Sequence, residues 1–243
     1  DIKRRHIHRF DPATGNRESW DAPDQPGFAL PRTSGGLVVG MPHGLHHFDP
    51  GTGSFTLLQA VEEDRSGNRM NDGFPDPQGH LWFGSMDDAE EAPTGALYRW
   101  NGEAVPDRLE DGIIITNGPA QSPDGTILYH TDTLDRSTWA YRLNQDGTIA
   151  DKRLFAQIED GAGYPDGMAV DSEGCVWIAL FAGWGIRRYA PDGTLLGKVS
   201  FPVANVTKLA FGGDDLRTVY ATTAAKGLSD AERAAQPLAG GLF

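Results

Sequence analysis

Four polar residues recur in the sequence at nearly the same distance ahead of an aromatic side chain. Asn71, in Asn71-Asp-Gly73, lies eleven residues before Trp82; Asn117, in Asn117-Gly118, lies twelve before Tyr129; Asp166, in Asp166-Gly167, lies eleven before Trp177. Asn205 holds a similar place, fifteen before Tyr220. Each alone reads as a turn, because Asn, Asp and Gly supply the conformations that tight reversals need. Recurrence in register adds a second meaning. Amide and carboxylate oxygens gathered together suit a hard divalent cation such as Ca²⁺, Mg²⁺ or Mn²⁺, with Zn²⁺ or Fe²⁺ as further options. Arg69, two residues before Asn71, adds a permanent charge and a planar fork of donors beside it.

Positioning such residues requires a repeated element, and the chain has one. Asp76-Pro-Gln-Gly-His-Leu-Trp82-Phe-Gly, Pro123-Asp-Gly-Thr-Ile-Leu-Tyr129-His-Thr, Asp171-Ser-Glu-Gly-Cys-Val-Trp177-Ile-Ala and Gly213-Asp-Asp-Leu-Arg-Thr-Val-Tyr220-Ala-Thr are copies of one turn-and-strand pattern. Their aromatics stand 43 to 48 residues apart, and Ser34-Gly-Gly-Leu-Val-Val39-Gly is a weaker copy ahead of them. A second unit pairs Ile7-His-Arg-Phe10-Asp-Pro-Ala-Thr-Gly15 with Leu45-His-His-Phe48-Asp-Pro-Gly-Thr-Gly53, and recurs around Tyr141 to Gly147 and Arg187 to Gly193. A period of about 45 residues with several strands and two hairpin turns is the length of a four-stranded propeller blade. A β-sandwich has turn signals without that phase.

The expected fold is therefore all-β, a six-bladed β-propeller of four-stranded antiparallel blades. Rotation about its axis would bring the starts of the innermost strands, and so the recurring Asn and Asp residues, to one mouth of the central channel. Residues 1–243 read as a single propeller domain lacking a short segment at each terminus, since the chain opens inside a strand pattern and stops on Gly240-Gly-Leu-Phe243. One helix is expected, opened by the capping box Ser229-Asp-Ala-Glu232 and running through Gln236.

Composition narrows the function. The net charge of −13 disfavours sequence-independent binding to nucleic acid, which needs a basic face to displace counterions. No apolar run approaches the ~18 residues of a membrane span. The single cysteine, Cys175, excludes an internal disulfide framework, and with the lack of an export-type leader it points to the cytoplasm. No Gly-x-Ser-x-Gly elbow or phosphate loop is present. His43, His46 and His47 flank a hairpin and read as surface or packing residues, and His130 as a buried structural histidine. Trp20-Asp21 occurs once, without the repeat of a WD40 array.

These motifs resemble the senescence marker protein/gluconolactonase/regucalcin family. Arg69-Met-Asn71-Asp72-Gly73 with Asp76-Pro and Trp82-Phe-Gly-Ser-Met86 is similar to its hallmark, and Asn117-Gly-Pro-Ala-Gln-Ser-Pro-Asp124-Gly to its second signature. Tyr164-Pro-Asp166-Gly-Met168 with Asp171-Ser-Glu-Gly174, and Asn205-Val-Thr207 with Phe211-Gly-Gly213, resemble the later ones. Tyr129-His-Thr-Asp-Thr133 and Lys226-Gly-Leu-Ser-Asp230 look most like bacterial xylonolactonase-type enzymes.

The resemblance implies metal-dependent hydrolysis of an aldonolactone such as xylono-, arabinono- or gluconolactone by a monomer with one divalent ion. It makes Asn117 and Asp166 metal ligands, Asp166 also the general base, and Arg69 and Asn71 the residues that hold the lactone. The family's third protein ligand is a glutamate in a Gly-Glu-Gly-Pro motif upstream of the strand resembling Ile2 to Phe10, and the sequence starts after it. Two other functions fit the same motifs: a calcium-binding regulatory propeller, and a lactonase or esterase for non-sugar substrates.

Overall fold

A computed structural model describes residues 1–243, which form twenty β-strands and one helix. The chain divides into two compact units, Asp1–Thr116 and Asn117–Phe243. In the first, β1 (His6–Phe10) and β2 (Arg17–Asp21) form a hairpin. A four-stranded antiparallel sheet follows, of β3 (Phe28–Pro31), β4 (Leu37–Met41), β5 (Gly44–Asp49) and β6 (Ser54–Ala60). The next sheet repeats it with β7 (Asn68–Pro75), β8 (Leu81–Asp87), β9 (Gly95–Trp100) and β10 (Asp107–Ile113).

The second unit opens within β11 (Thr116–Gln121), which pairs in order with β12 (Ile127–Asp132), β13 (Ser137–Leu143) and β14 (Ile149–Gln157). Its next sheet is β15 (Tyr164–Val170), β16 (Val176–Phe181), β17 (Gly185–Tyr189) and β18 (Leu195–Ser200), followed by the pair β19 (Val206–Gly212) and β20 (Thr218–Thr223). The fold is all-β, built from four-stranded antiparallel blades. The short helix α1 (Asp230–Ala235) carries the expected reciprocal cap between Ser229 and Glu232. No helix is long and apolar enough to cross a membrane.

Each recurring sequence feature folds into a recurring device. In the Asp-Pro-x-Thr-Gly turns, Asp11 accepts the backbone N–H of Ala13 at 2.9 Å and Asp49 that of Gly51 at 2.8 Å. The closing Gly15 and Gly53 take φ of 75° and 74°, a left-handed conformation open to glycine at little cost. In the Asp-x5-Trp units, the Trp82 indole N–H donates to Asp76 Oδ2 at 2.9 Å and that of Trp177 to Asp171 Oδ2 at 2.8 Å. The cross-strand partners Arg99 and Arg188 lie over these indoles at 5.7 and 5.4 Å.

A further device was not visible in the sequence. Arg5, His43, Arg136 and Trp184 each adopt positive φ just before β1, β5, β13 and β17. Their carbonyls accept the N–H of Ala22, Val61, Ile158 and Phe201, the residues that follow β2, β6, β14 and β18. The β1–β2 hairpin thus matches the third and fourth strands of the complete sheets.

Burial follows strand order. β8 is buried along almost its whole length and β18, at the sheet edge, is exposed along all of it. The core of the first unit gathers Phe28, Leu45, Met70, Phe83 and Tyr98; that of the second gathers Tyr129, Phe155, Ile178, Leu180 and Tyr189. Within each unit the first strands of successive blades press closely together. A Cβ on Gly27 would stand 2.2 Å from the Met70 carbonyl oxygen, and one on Gly167 would stand 2.9 Å from that of Thr207. Only glycine permits that approach, which sets the backbone around Asn71 and Asp166.

Candidate active site

β7 carries Arg69 and Asn71, and β15 carries Asp166, at equivalent irregularities. Between Met70 and Gly73 the register with β8 shifts so that Asn71 and Asp72 together oppose Gly84. Between Pro165 and Met168 the register with β16 shifts in the same way, and Asp166 and Gly167 together oppose Ala179. A two-against-one bulge breaks the alternation of side chains and re-aims them, which is why bulges collect beside sites. The Asn-Asp-Gly and Asp-Gly signals mark bulges inside strands, where composition alone suggests turns. A third register shift, at Thr207, lies in β19.

Arg69 is 4% exposed and held on three sides. Its Nε donates to Asp88 Oδ1 at 2.7 Å, and its Nη1 donates to the Met70 carbonyl at 3.2 Å and to Asn71 Oδ1 at 2.7 Å. Nη2 makes no hydrogen bond to the protein, so this buried guanidinium keeps one terminal donor for a ligand. Asp88 also accepts Lys3 Nζ at 2.6 Å and Gln25 Nε2 at 3.2 Å. Burial pushes the Asp88 carboxyl up, but the bonds from Lys3, Gln25 and Arg69 outweigh it and bring it to about 2. Ahead of Arg69, the start of β7 is anchored by Glu62, which accepts from Asn68, Ser85 and Tyr98 at 2.7–2.8 Å. Asn71 donates through Nδ2 to the carbonyl of Thr116 at 2.7 Å. Thr116 immediately precedes Asn117 in the chain.

In the second unit Asn117 is 5% exposed, and its Nδ2 donates to Thr133 Oγ1 at 2.8 Å. Thr133, 7% exposed, donates in turn to the Pro165 carbonyl at 2.8 Å. The half-buried Asp166 follows directly. Gly118, beside Asn117, has φ of 48°, and a Cβ there would lie 2.9 Å from the Met168 backbone nitrogen.

Asn205 departs from the set. Its Oδ1 accepts the Ala182 N–H at 3.0 Å and its Nδ2 donates to the Lys226 carbonyl at 2.9 Å. Both ends of this amide brace backbone loops, and Asn205 lies just ahead of β19, whereas Asn71 and Asp166 lie inside their strands.

The remaining sequence candidates have local roles. His43 sits in the left-handed position before β5, His47 meets Arg32 at 2.9 Å, and His130 is 1% exposed within β12. Asp171, Glu173 and Cys175 bring three potential ligand atoms within 4.8 Å of one another. That group is already filled by a cation, since Arg188 Nη2 lies 2.7 Å from Asp171 and 2.5 Å from Glu173.

Sequence reasoning missed Asp88 and Thr133. Asp88 stands just past the Trp82-to-Met86 motif and Thr133 closes Tyr129-His-Thr-Asp-Thr133, but only strand pairing reveals what each one touches.

Comparison with known proteins places the chain in a family. Residues 1–225 match the model of the family described as SMP-30/Gluconolactonase/LRE-like region. The chain belongs to that family. Among family relatives, 6-deoxy-6-sulfogluconolactonase of Pseudomonas putida is 34% identical, with 100% of this chain and 84% of that protein covered. L-arabinolactonase of Azospirillum brasilense is 36% identical, with 92% and 75% covered. Among solved structures, the calcium-binding protein regucalcin from Agrobacterium tumefaciens superposes with a TM-score of 0.95 at 29% identity, over 100% of this chain and 82% of that one.

Proposed function

We propose that this protein hydrolyses a sugar lactone to the corresponding aldonic acid with the help of one divalent cation, on a propeller of six blades. The observation that carries the reading is the state of Arg69: a guanidinium 4% exposed, fixed by Asp88, Met70 and Asn71, with one terminal nitrogen still open to a ligand. Rigid, pre-oriented donors of this kind suit a polyhydroxylated ring, because little freedom is lost on binding. The lactonase names of the Pseudomonas and Azospirillum relatives, at 34% and 36% identity, support the substrate class.

The donor set fits a hard divalent ion. Asn117 spends its amide nitrogen on Thr133, which turns Oδ1 to the other side, and Asp166 adds a carboxylate from the bulge. The calcium binding of the regucalcin structure is in keeping with such a donor set. When bound, the ion supplies Lewis acidity toward the lactone carbonyl. Asp166 takes the proton from the attacking water, Arg69 and Asn71 hold the sugar hydroxyls, and Asp88 keeps Arg69 in place.

The test is acid release from xylono-, arabinono-, glucono- and galactonolactone in a pH-stat, after chelation and with each divalent ion restored. Acceleration above the spontaneous rate with a restored ion is expected. Asp166→Ala should lose ~10²-fold or more in kcat, as removal of a general base does, while Asn71→Ala should mainly raise KM. Calcium binding without lactone opening under any ion would replace this reading with that of a calcium-binding propeller, and near-wild-type activity of Asp166→Ala would remove Asp166 from the mechanism.

A further inference from the structure

The buried hydroxyl of Thr133 links the two proposed cation ligands in the second unit. A hydroxyl has one proton to give. Thr133 gives it to the Pro165 carbonyl at 2.8 Å, so toward Asn117, also at 2.8 Å, its oxygen can only accept. Asn117 must therefore turn its NH₂ to Thr133 and its oxygen away. The other end of the relay is the last carbonyl before Asp166, where the register between β15 and β16 breaks.

We propose that Thr133 is a positioning residue of the cation site. Its hydroxyl selects oxygen rather than nitrogen as the atom Asn117 presents, and it pins the peptide from which Asp166 projects. This rests on the lactonase reading, in which Asn117 and Asp166 hold the ion. Groups that orient metal ligands in this way typically control affinity by about 10–100-fold.

A purely structural role for a buried hydroxyl has its own control two residues away, at the end of β12. Thr131 and Thr138 share a hydrogen bond at 2.8 Å, both are fully buried, and neither bonds to a proposed ligand.

The experiment measures Mn²⁺ and Ca²⁺ affinity by calorimetry on chelator-treated protein, with thermal unfolding alongside, for wild type, Thr133→Val, Thr133→Ser and Thr131→Val. Thr133→Val should weaken the cation about 10–100-fold, and Thr133→Ser should stay within about threefold of wild type because it keeps the hydroxyl. Thr131→Val should lower Tm while leaving affinity within about threefold, since its hydroxyl pairs only with Thr138. Wild-type affinity in Thr133→Val, an equal loss in Thr131→Val, or no rescue by serine would each overturn the proposal. If the valine variant does not fold, Thr133→Cys, with its weakly bonding thiol, gives the same comparison. Failure of the underlying reading shows separately, as absence of cation binding in the wild type.

Discussion

Asp88→Asn isolates one charge at the candidate site and leaves the shape unchanged. The carboxyl lies at about 2 against an ordinary 3.8, because the bonds from Lys3, Gln25 and Arg69 overcome the effect of burial. That displacement is equivalent to roughly 2 kcal/mol. The Asp88 side chain is 33% exposed, and solvent screening reduces the figure to about 1 kcal/mol. Asparagine keeps Oδ1 as the acceptor for Lys3 Nζ and Arg69 Nε, and its NH₂ in place of Oδ2 can be met by Gln25 turning its unpartnered Oε1 toward it. The variant should therefore be about 1 kcal/mol less stable at pH 7, with a Tm lower by about 2–4 °C.

The pH dependence carries the sign. A carboxyl lowered in the folded state contributes fully above 3.8 and loses that contribution as pH falls toward about 2. Roughly half of the gap should remain at pH 3. Urea unfolding of both proteins at pH 7, 5 and 3 checks this. A gap of the same size at pH 3 as at pH 7, or none at pH 7, would refute the claim that Asp88 acts as the charge partner of Arg69.

Two further variants separate bracing residues from site residues. Asn205→Ala removes two hydrogen bonds and leaves the Ala182 N–H and the Lys226 carbonyl without this partner; urea unfolding should show a loss of about 2–3 kcal/mol, and calorimetry should show cation affinity within about threefold of wild type. Gly118→Ala forces a side chain into φ of 48° and against the Met168 nitrogen. It should cost at least about 2 kcal/mol and, because Asn117 is its neighbour, should also weaken cation binding in the same assay.

The sequence by itself determined whatever depends on neighbours along the chain. The Asp-Pro-x-Thr-Gly turns, the Asp76–Trp82 and Asp171–Trp177 pairs and the Ser229–Glu232 cap each close within six residues, so their residue types and spacing state the contact outright. Repetition of such local units made the four-stranded blades readable before any coordinates. Tertiary structure decided what depends on register between strands. The Asp-Gly signals at Asn71 and Asp166 became two-against-one bulges because the facing strands supply one residue there instead of two. Asn205 and Asn117 share a residue type and a similar place in the repeat, yet one braces two loops and the other meets a threonine. Their partners lie 16 to 23 residues away, at Thr133, Ala182 and Lys226. Asp88 likewise reaches Arg69 from 19 residues on. Nothing in a single chain's spacing fixes which polar groups a fold will press together once water is excluded, and a buried donor takes the partner that the backbone brings within reach.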